Sequence, residues 1–296
     1  MERPWSALAS YWQVTKPRTW FLLTFTGFCS TIVGFGVSGR SIDWYIIVLV
    51  TLAIALGSAG ANAITCYIDR DIDAMMDRTK MRPLPSGKIR PAEKALYFGL
   101  MLSTIAVVMS FMLNPICFGL MLFGLVDNIL IYSKWLKRRN PINIIAGGFS
   151  GGAPAMIGYS AATTENLTLG LIIAALVVLW IPTHIWSLAL KYREDYAKVK
   201  VPMLPVVVPE KLAIRCIAST SVLMVVFSLL PVLMGVFRII YAIVAFIFGT
   251  AILVFNFLLV LKPDAKKAWL VFKMSSPYLA ALFMGMVFDV FFPIHL

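Results

Sequence analysis

Four aspartates, Asp69, Asp71, Asp73 and Asp77, fall within one short stretch, interleaved with Arg70, Arg78, Lys80 and Arg82 and followed by Lys88. An apolar run at 46–64 leads into this stretch and another at 95–113 follows it. If the helix of the first run continues past Cys66, then Asn62, Asp69 and Asp73 share a face. Offsets of seven and eleven residues return close to the starting direction. Asp77 lies slightly further round. Carboxylates so placed repel one another unless a cation lies between them. Hard divalent cations such as Mg²⁺ take oxygen ligands and commonly share them with substrate phosphates. One reading is a metal-bridged diphosphate site at a membrane surface. The other is a solvated loop whose acids and bases pair among themselves, and the spacing alone leaves both open.

A second group of polar residues interrupts an apolar segment near 167–190. Trp180, Pro182 and His184 lie inside it, and Lys191, Glu194 and Asp195 lie at or past its end. A proline in a membrane helix frees a backbone carbonyl and often marks a kink beside a cavity. A histidine in such a segment is either a hydrogen-bonded packing residue or a functional group, and the cost of burying it in lipid favours function. Asp127, with Asn128 beside it, is expected to face a cavity or a basic partner for the same reason. Tyr132, Lys134, Lys137, Arg138, Arg139 and Asn143 follow. Lys134 and Arg138 sit four apart, so a helical continuation points cations one way, with Lys137 beside them. Arg139 reads as topological charge, and Lys137 and Arg138 as phosphate partners. The run Gly147–Pro154 lacks the strand–helix context and GKS or GKT ending of a nucleotide loop. Its glycines are expected to let neighbouring helices approach closely.

The elements that must position these groups are membrane helices. The 296 residues are 60% hydrophobic and 14% charged, and apolar runs near the bilayer-crossing length recur along them. Nine spans are expected, at roughly 20–37, 44–66, 94–112, 115–133, 142–160, 167–190, 211–234, 239–261 and 269–292. The chain reads as all-α, one polytopic membrane domain over 1–296, its helices bundled around a central cavity. A formal net charge of +12 could suggest nucleic acid. With the amino terminus inside, however, 24 of the 26 Lys and Arg residues fall in or beside cytoplasmic segments, and only Arg40 and Arg238 do not. The basic balance is therefore topology in the cell membrane, and nine spans put Leu296 outside. Met1 to Arg18 lacks the apolar core of a cleavable signal. With Trp5, Tyr11, Trp12 and Trp20 in or beside it, the segment 1–19 suits an interfacial helix. The scattered Cys29, Cys66, Cys117 and Cys216 suggest neither zinc nor a disulfide framework. Two cytoplasmic loops end alike, in Arg-Pro-Leu-Pro85 and Pro-Met-Leu-Pro205, which hints at duplicated helical units.

Tyr67-Ile-Asp-Arg-Asp-Ile-Asp73, with Arg78-Thr-Lys and Arg82-Pro-Leu-Pro-Ser-Gly87, resembles the first aspartate motif of the UbiA superfamily of intramembrane prenyltransferases. Lys16-Pro17-Arg18, Leu136-Lys-Arg-Arg139 with Pro141 and Asn143, Gly158-Tyr159, Trp180-Ile-Pro-Thr-His184, Asp195-Tyr196 and Pro202-Met-Leu-Pro205 resemble its heme O synthase branch, the protoheme IX farnesyltransferases. The likeness runs in order from about residue 14 to 208. It implies Mg²⁺ held by Asp69, Asp73 and Asp77. The remaining diphosphate oxygens would be held by Arg70, Arg78, Lys80, Lys137 and Arg138. Thr65 stands where the superfamily places an Asn, with Asn62 one turn earlier as the substitute. His184, Trp180, Glu194 and Asp195 occupy the place of a second aspartate motif, which leaves a second metal open.

The implied reaction joins a farnesyl group from farnesyl diphosphate to the 2-vinyl group of heme b, with water addition, giving heme O. Heme is then a substrate, contacted by His184, and not a prosthetic group. Aromatic faces, with Tyr67, Tyr132, Trp180 and Trp186 as candidates, could each stabilise the allylic cation by roughly 0.5–2 kcal/mol. Asp127, Asn128, Tyr132 and Asn143 are cavity candidates. Implied partners are the bilayer and a heme A synthase or terminal oxidase in assembly, with no nucleic acid. Rival readings are a prenyltransferase acting on a quinone precursor or other lipid, a polytopic transporter, and a heme-binding assembly factor.

Overall fold

A computed structural model describes residues 4–292. The side chain of Trp5, and Met1 and Leu296, named above, lie outside what it describes. Every regular element among the described residues is helical. The long helices are α1 (Pro4–Val14), α2 (Pro17–Val37), α3 (Trp44–Ile68), followed by the short α4 (Arg70–Met75), then α5 (Glu93–Leu113) and α6 (Pro115–Val126). α6 runs on without a break as a π-helix over Asp127–Leu136. After it come α7 (Asn143–Ala162), α8 (Leu167–Lys191), the short α9 (Arg193–Lys198) and α10 (Leu204–Val207), α11 (Glu210–Ser228) with the turn α12 (Leu230–Leu233), α13 (Ile239–Leu261) and α14 (Ala265–Phe291).

Local chemistry sets the boundaries. Asp43 caps α3 by accepting from the Tyr45 and Ile46 N–H groups at 2.9 and 3.3 Å. Asn114 caps α6 by accepting from Cys117 N–H at 2.8 Å, with Pro115 at the first helical position, where no N–H is needed. Asp289 of α14 accepts from the Ile240 and Tyr241 N–H groups at 3.0 and 3.2 Å and so satisfies the start of α13.

Eight helices among the described residues are long and apolar enough to cross a membrane. The remaining expected span, the fifth in order, is α7; it is 20 residues long and has 14 of them buried, yet its glycines, serines and single proline keep it out of that class. Its hydrocarbon is scarce because neighbouring backbones occupy the space. A Cβ on Gly158 would collide with the Gly27 carbonyl of α2, and one on Gly152 would stand 2.9 Å from the Ala174 carbonyl oxygen of α8. The glycine run therefore serves close helix packing. α7 stands centrally, against α2 on one side and α8 and α6 on the others. One apolar cluster draws mainly on α2, α7, α8, α11, α13 and α14, and a second on α3, α5, α6 and α7.

The suggested duplication has a structural counterpart. α3 and α8 are both 25 residues long, and each is followed, after one non-helical residue or so, by a six-residue helix carrying acids in its first turn. α1 lies against α3, and its Tyr11 stands edge-on to Phe98 of α5, ring centroids 5.1 Å apart, while Leu8 and Trp12 remain exposed.

Candidate active site

The acids lie where α3 ends. Asp69 terminates the helix, its N–H still donating to the Thr65 carbonyl at 2.9 Å, and Asp73 follows one turn later with its N–H donating to the Asp69 carbonyl at 2.8 Å. Both are almost fully buried, at 1% and 4% exposure. Burying two carboxylates is costly unless each is paired. Lys137, just past the π-helix, donates to Asp69 Oδ2 in a short contact. Arg82 reaches Asp73 Oδ2 at 2.7 Å. Burial works against both cations, but the adjoining carboxylates outweigh it and raise the pKa of each. Asp69 Oδ1 remains buried with no hydrogen-bond partner.

The other two aspartates stand apart. Asp71 is exposed and held by a bidentate Arg138 fork at 2.6 and 2.6 Å, which lowers its pKa. Asp77, expected with Asp69 and Asp73 as one metal set, is instead exposed. It is paired with Lys198 at 2.8 Å and Lys80 at 2.6 Å, which hold its carboxyl at about 2. Among the described residues no three His, Cys, Asp or Glu side chains converge as a metal cluster. Asp71 and Asp77 thus lie solvated and paired with bases, as in the loop reading, whereas Asp69 and Asp73 are buried.

The two loops are tied together. Asp195 accepts from the Asp77 and Arg78 backbone N–H groups at 3.3 and 3.2 Å. The Arg78 guanidinium donates to Tyr196 Oη at 3.3 Å and lies over the Tyr192 ring at 5.5 Å. Arg70 is exposed, stacked on Tyr67 at 4.1 Å and bonded to that residue's carbonyl, and Lys80 is exposed on Asp77, so neither points toward the buried acids. Glu194 is likewise exposed.

Beyond the acids lies a chamber of about 390 Å³ bounded by α2, α3, α6 with its π-helix, α7, α8 and α14. Asn62 lines its mouth and donates to Thr19 Oγ1 at 2.9 Å, while Thr65 receives Lys16 Nζ at 3.3 Å. Asn128, Tyr132, Trp180 and His184 line it too. Gly147 makes room for Tyr132, since a Cβ there would stand 2.7 Å from that ring. His184 stacks on Trp180 and on Phe272, centroids 4.3 Å away in each case, and its Nδ1 pairs with Ser275 Oγ at 2.7 Å. It is thus both a packed residue and part of the cavity wall.

Two expected cavity groups and two expected aromatic faces lie outside the lining. Asp127 is buried outside the lining, accepting from the Ser150 N–H at 3.0 Å, so a backbone donor of α7 replaces the expected basic partner. Asn143 is buried near Lys137, whose carbonyl it reaches at 3.4 Å, with its own Oδ1 unpartnered. Tyr67 and Trp186 do not line the chamber. Sequence reasoning passed over Arg82, Lys16 and Phe272 as site residues. The Arg-Pro-Leu-Pro and Lys-Pro-Arg motifs signalled the first two, whereas nothing local signalled Phe272.

Two carboxylates with one free buried oxygen fit a Mg²⁺ ion that takes its remaining ligands from water and a substrate phosphate, as that ion commonly does. They do not fit an all-protein cage. The chamber behind them suits an apolar chain attached to such a phosphate.

Residues 8–283 match the UbiA prenyltransferase family. A protein of Desulforudis audaxviator named protoheme IX farnesyltransferase is 47% identical over 95% of this chain and 88% of its own. One of that name from Thermoplasma volcanium is 44% identical over 94% and 96%. Among solved structures, a digeranylgeranylglyceryl phosphate synthase superposes with a TM-score of 0.78 at 22% identity, covering 96% of this chain and 98% of that one. A UbiA homolog from Archaeoglobus fulgidus bound to DMAPP and Mg²⁺ superposes with a TM-score of 0.69 at 20% identity, covering 96% and 100%.

Proposed function

The chain belongs to the UbiA prenyltransferase family, and on that premise we propose that it farnesylates the 2-vinyl group of heme b, with addition of water, to give heme O. The observation carrying this reading is the end-to-end similarity to proteins named protoheme IX farnesyltransferase. The C1–O bond of farnesyl diphosphate breaks, its electron pair leaving with the diphosphate. The terminal vinyl carbon bonds to C1, and the cation left on the inner vinyl carbon takes the oxygen of water, whose proton passes to the solvent.

Asp69, through its free Oδ1, and Asp73 would hold Mg²⁺, which when bound neutralises the diphosphate as a leaving group. Lys137 and Arg82, ion-paired with the two acids, and Arg78, bonded to Tyr196, would grip the diphosphate oxygens, the arginines through their planar forks. Arg138 orients Asp71, and Arg70, Lys80 and Asp77 stay on the loop surface. The apolar chamber takes the farnesyl tail and excludes water from the allylic cation, flanked by the Tyr132 and Trp180 faces. The His184–Trp180–Phe272 stack forms an aromatic wall against which the tetrapyrrole is oriented. The excess of Lys and Arg in the loops that carry the acids supports a cytoplasmic position for that end of the bundle in the cell membrane, and counting α7 as a ninth span supports a carboxyl terminus outside.

The test is incubation of the purified protein with farnesyl diphosphate, Mg²⁺ and heme b, followed by mass analysis. Heme O is the expected product. Product from an aromatic acid instead, with no farnesylated heme, would reassign the acceptor to a quinone precursor.

A further inference from the structure

The chamber is graded from end to end. Arg18, Thr19 and Asn62 stand at its mouth, Asn62 seven residues before Asp69 along α3, and polar groups thin out with depth. It closes against Ile54 of α3, Met121 of α6 and Ile157 of α7, which are 1%, 5% and 2% exposed. These three belong to the second apolar cluster, together with Val50, Ala106 and Cys117, so the cavity stops where that core begins. Met121 lies across the bare face of Gly57. A Cβ on Gly57 would stand 2.7 Å from the Met121 sulfur and 3.4 Å from the Ala106 Cβ. The end wall is therefore made of side chains, and its middle is an unbranched, adaptable one.

Length fits this wall. Asn62 and Ile54 are eight residues apart on α3, which is about 12 Å along the helix axis at 1.5 Å per residue. A hydrocarbon chain with bonds near 1.5 Å advances roughly 1.25 Å per carbon, so the twelve-carbon backbone of a farnesyl group spans about 14 Å. A fourth isoprene unit adds about 5 Å on the same spacing, which would drive it into Met121 and Ile157.

Resting on the reading of the chamber as the prenyl site, we infer that Met121, backed by Ile54 and Ile157, determines chain-length specificity and stops the tail after three isoprene units. The polar mouth fixes the diphosphate, the tail runs inward along α3, and the thioether closes the far end. Removing the Met121 side chain lengthens the chamber by the volume that side chain fills beside Gly57 and Ala106. Enlarging it shortens the chamber.

The full-length protein in detergent, with Mg²⁺, is titrated with non-hydrolysable geranyl, farnesyl and geranylgeranyl thiolodiphosphates competing against labelled farnesyl diphosphate. Wild type should favour the fifteen-carbon analogue over the twenty-carbon one by tenfold or more. Met121→Ala should shift that ratio at least tenfold toward the longer chain. Ile157→Val, which removes one methyl, should shift it less but in the same direction, and Met121→Phe should shift it toward the ten-carbon analogue. Unchanged ratios in all three variants, or a wild type indifferent to length, would overturn the inference. Because the readout is binding, it stands whether or not heme is the acceptor. Absence of any prenyl diphosphate binding would sink this proposal and the proposed function together.

Discussion

Replacing Lys137 by methionine isolates the ion pair at the centre of the site. Lys137 and Asp69 expose only 16% and 2% of their side chains, and Asp69 Oδ1 already lacks a partner. The substitution would leave both carboxylate oxygens bare in a dry environment. Breaking one partner of a buried pair destabilises by roughly 3–5 kcal/mol, because the surviving charge is uncompensated. Denaturation in mixed detergent, followed by tryptophan fluorescence, should show a loss of that order for Lys137→Met. Lys198→Met, which breaks an exposed pair with Asp77, should leave the midpoint where it is. Mg²⁺ should narrow the Lys137→Met deficit, since a bound cation compensates the carboxylate. At a hundredfold excess over its dissociation constant Mg²⁺ stabilises whichever protein binds it by about 2.7 kcal/mol, so the deficit narrows only as far as the variant binds it more tightly than wild type does. Turnover should stay depressed, by on the order of 10²–10³, the cost of removing one preorganised partner of developing charge. A Lys137→Met protein as stable as wild type in the absence of metal would refute the claim that this lysine compensates a buried Asp69.

Three further outcomes follow from the geometry. Gly158→Ala should destabilise by about 1–3 kcal/mol through overpacking against the α2 backbone, whereas Gly119→Ala, with nothing within 4 Å of the new Cβ, should be neutral or slightly stabilising in the same denaturation assay. Asp77 and Asp71 have carboxyl pKa values held below the ordinary range. Their pairs with Lys198, Lys80 and Arg138 are therefore fully formed above the unfolded-state carboxylate pKa and are lost only as pH falls through the lowered folded values, near 2 for Asp77. Hydrogen exchange in residues 76–80, corrected for intrinsic pH dependence, should be flat from pH 8 to 5; loosening within that window would contradict the pairing. His184→Phe keeps a ring between Trp180 and Phe272 but loses the Ser275 hydrogen bond. It should fold, retain affinity for farnesyl diphosphate, and farnesylate heme at least tenfold more slowly. An unaffected rate would reduce His184 to packing.

Much of this was legible in the chain. Long apolar runs and the one-sided placement of lysine and arginine mark the helices and their alternation, and the offsets from Asn62 to Asp73 point to one end of α3. What distinguishes Asp69 and Asp73 from Asp71 and Asp77 is burial, and burial is set by distant partners. Lys137 arrives from beyond a π-helical stretch, and a π-helix has no sequence period that separates it from an α-helix. Asp127 was read as needing a cation because a carboxylate in lipid is costly, but the Ser150 N–H of a neighbouring helix meets the same need. α7 is weakly apolar for a span because backbone contacts at Gly152 and Gly158 replace side-chain hydrocarbon. Phe272 joins the site from α14, far along the chain from His184, by packing alone.

The most direct measurement is mass analysis of heme extracted from cells that otherwise make no heme O, expressing either the wild-type chain or Asp73→Asn at matched membrane levels. Heme O in the first culture and nearly none in the second is the predicted result. Heme b alone in both, or equal heme O in both, would contradict the assignment of farnesyl transfer to this buried acid pair.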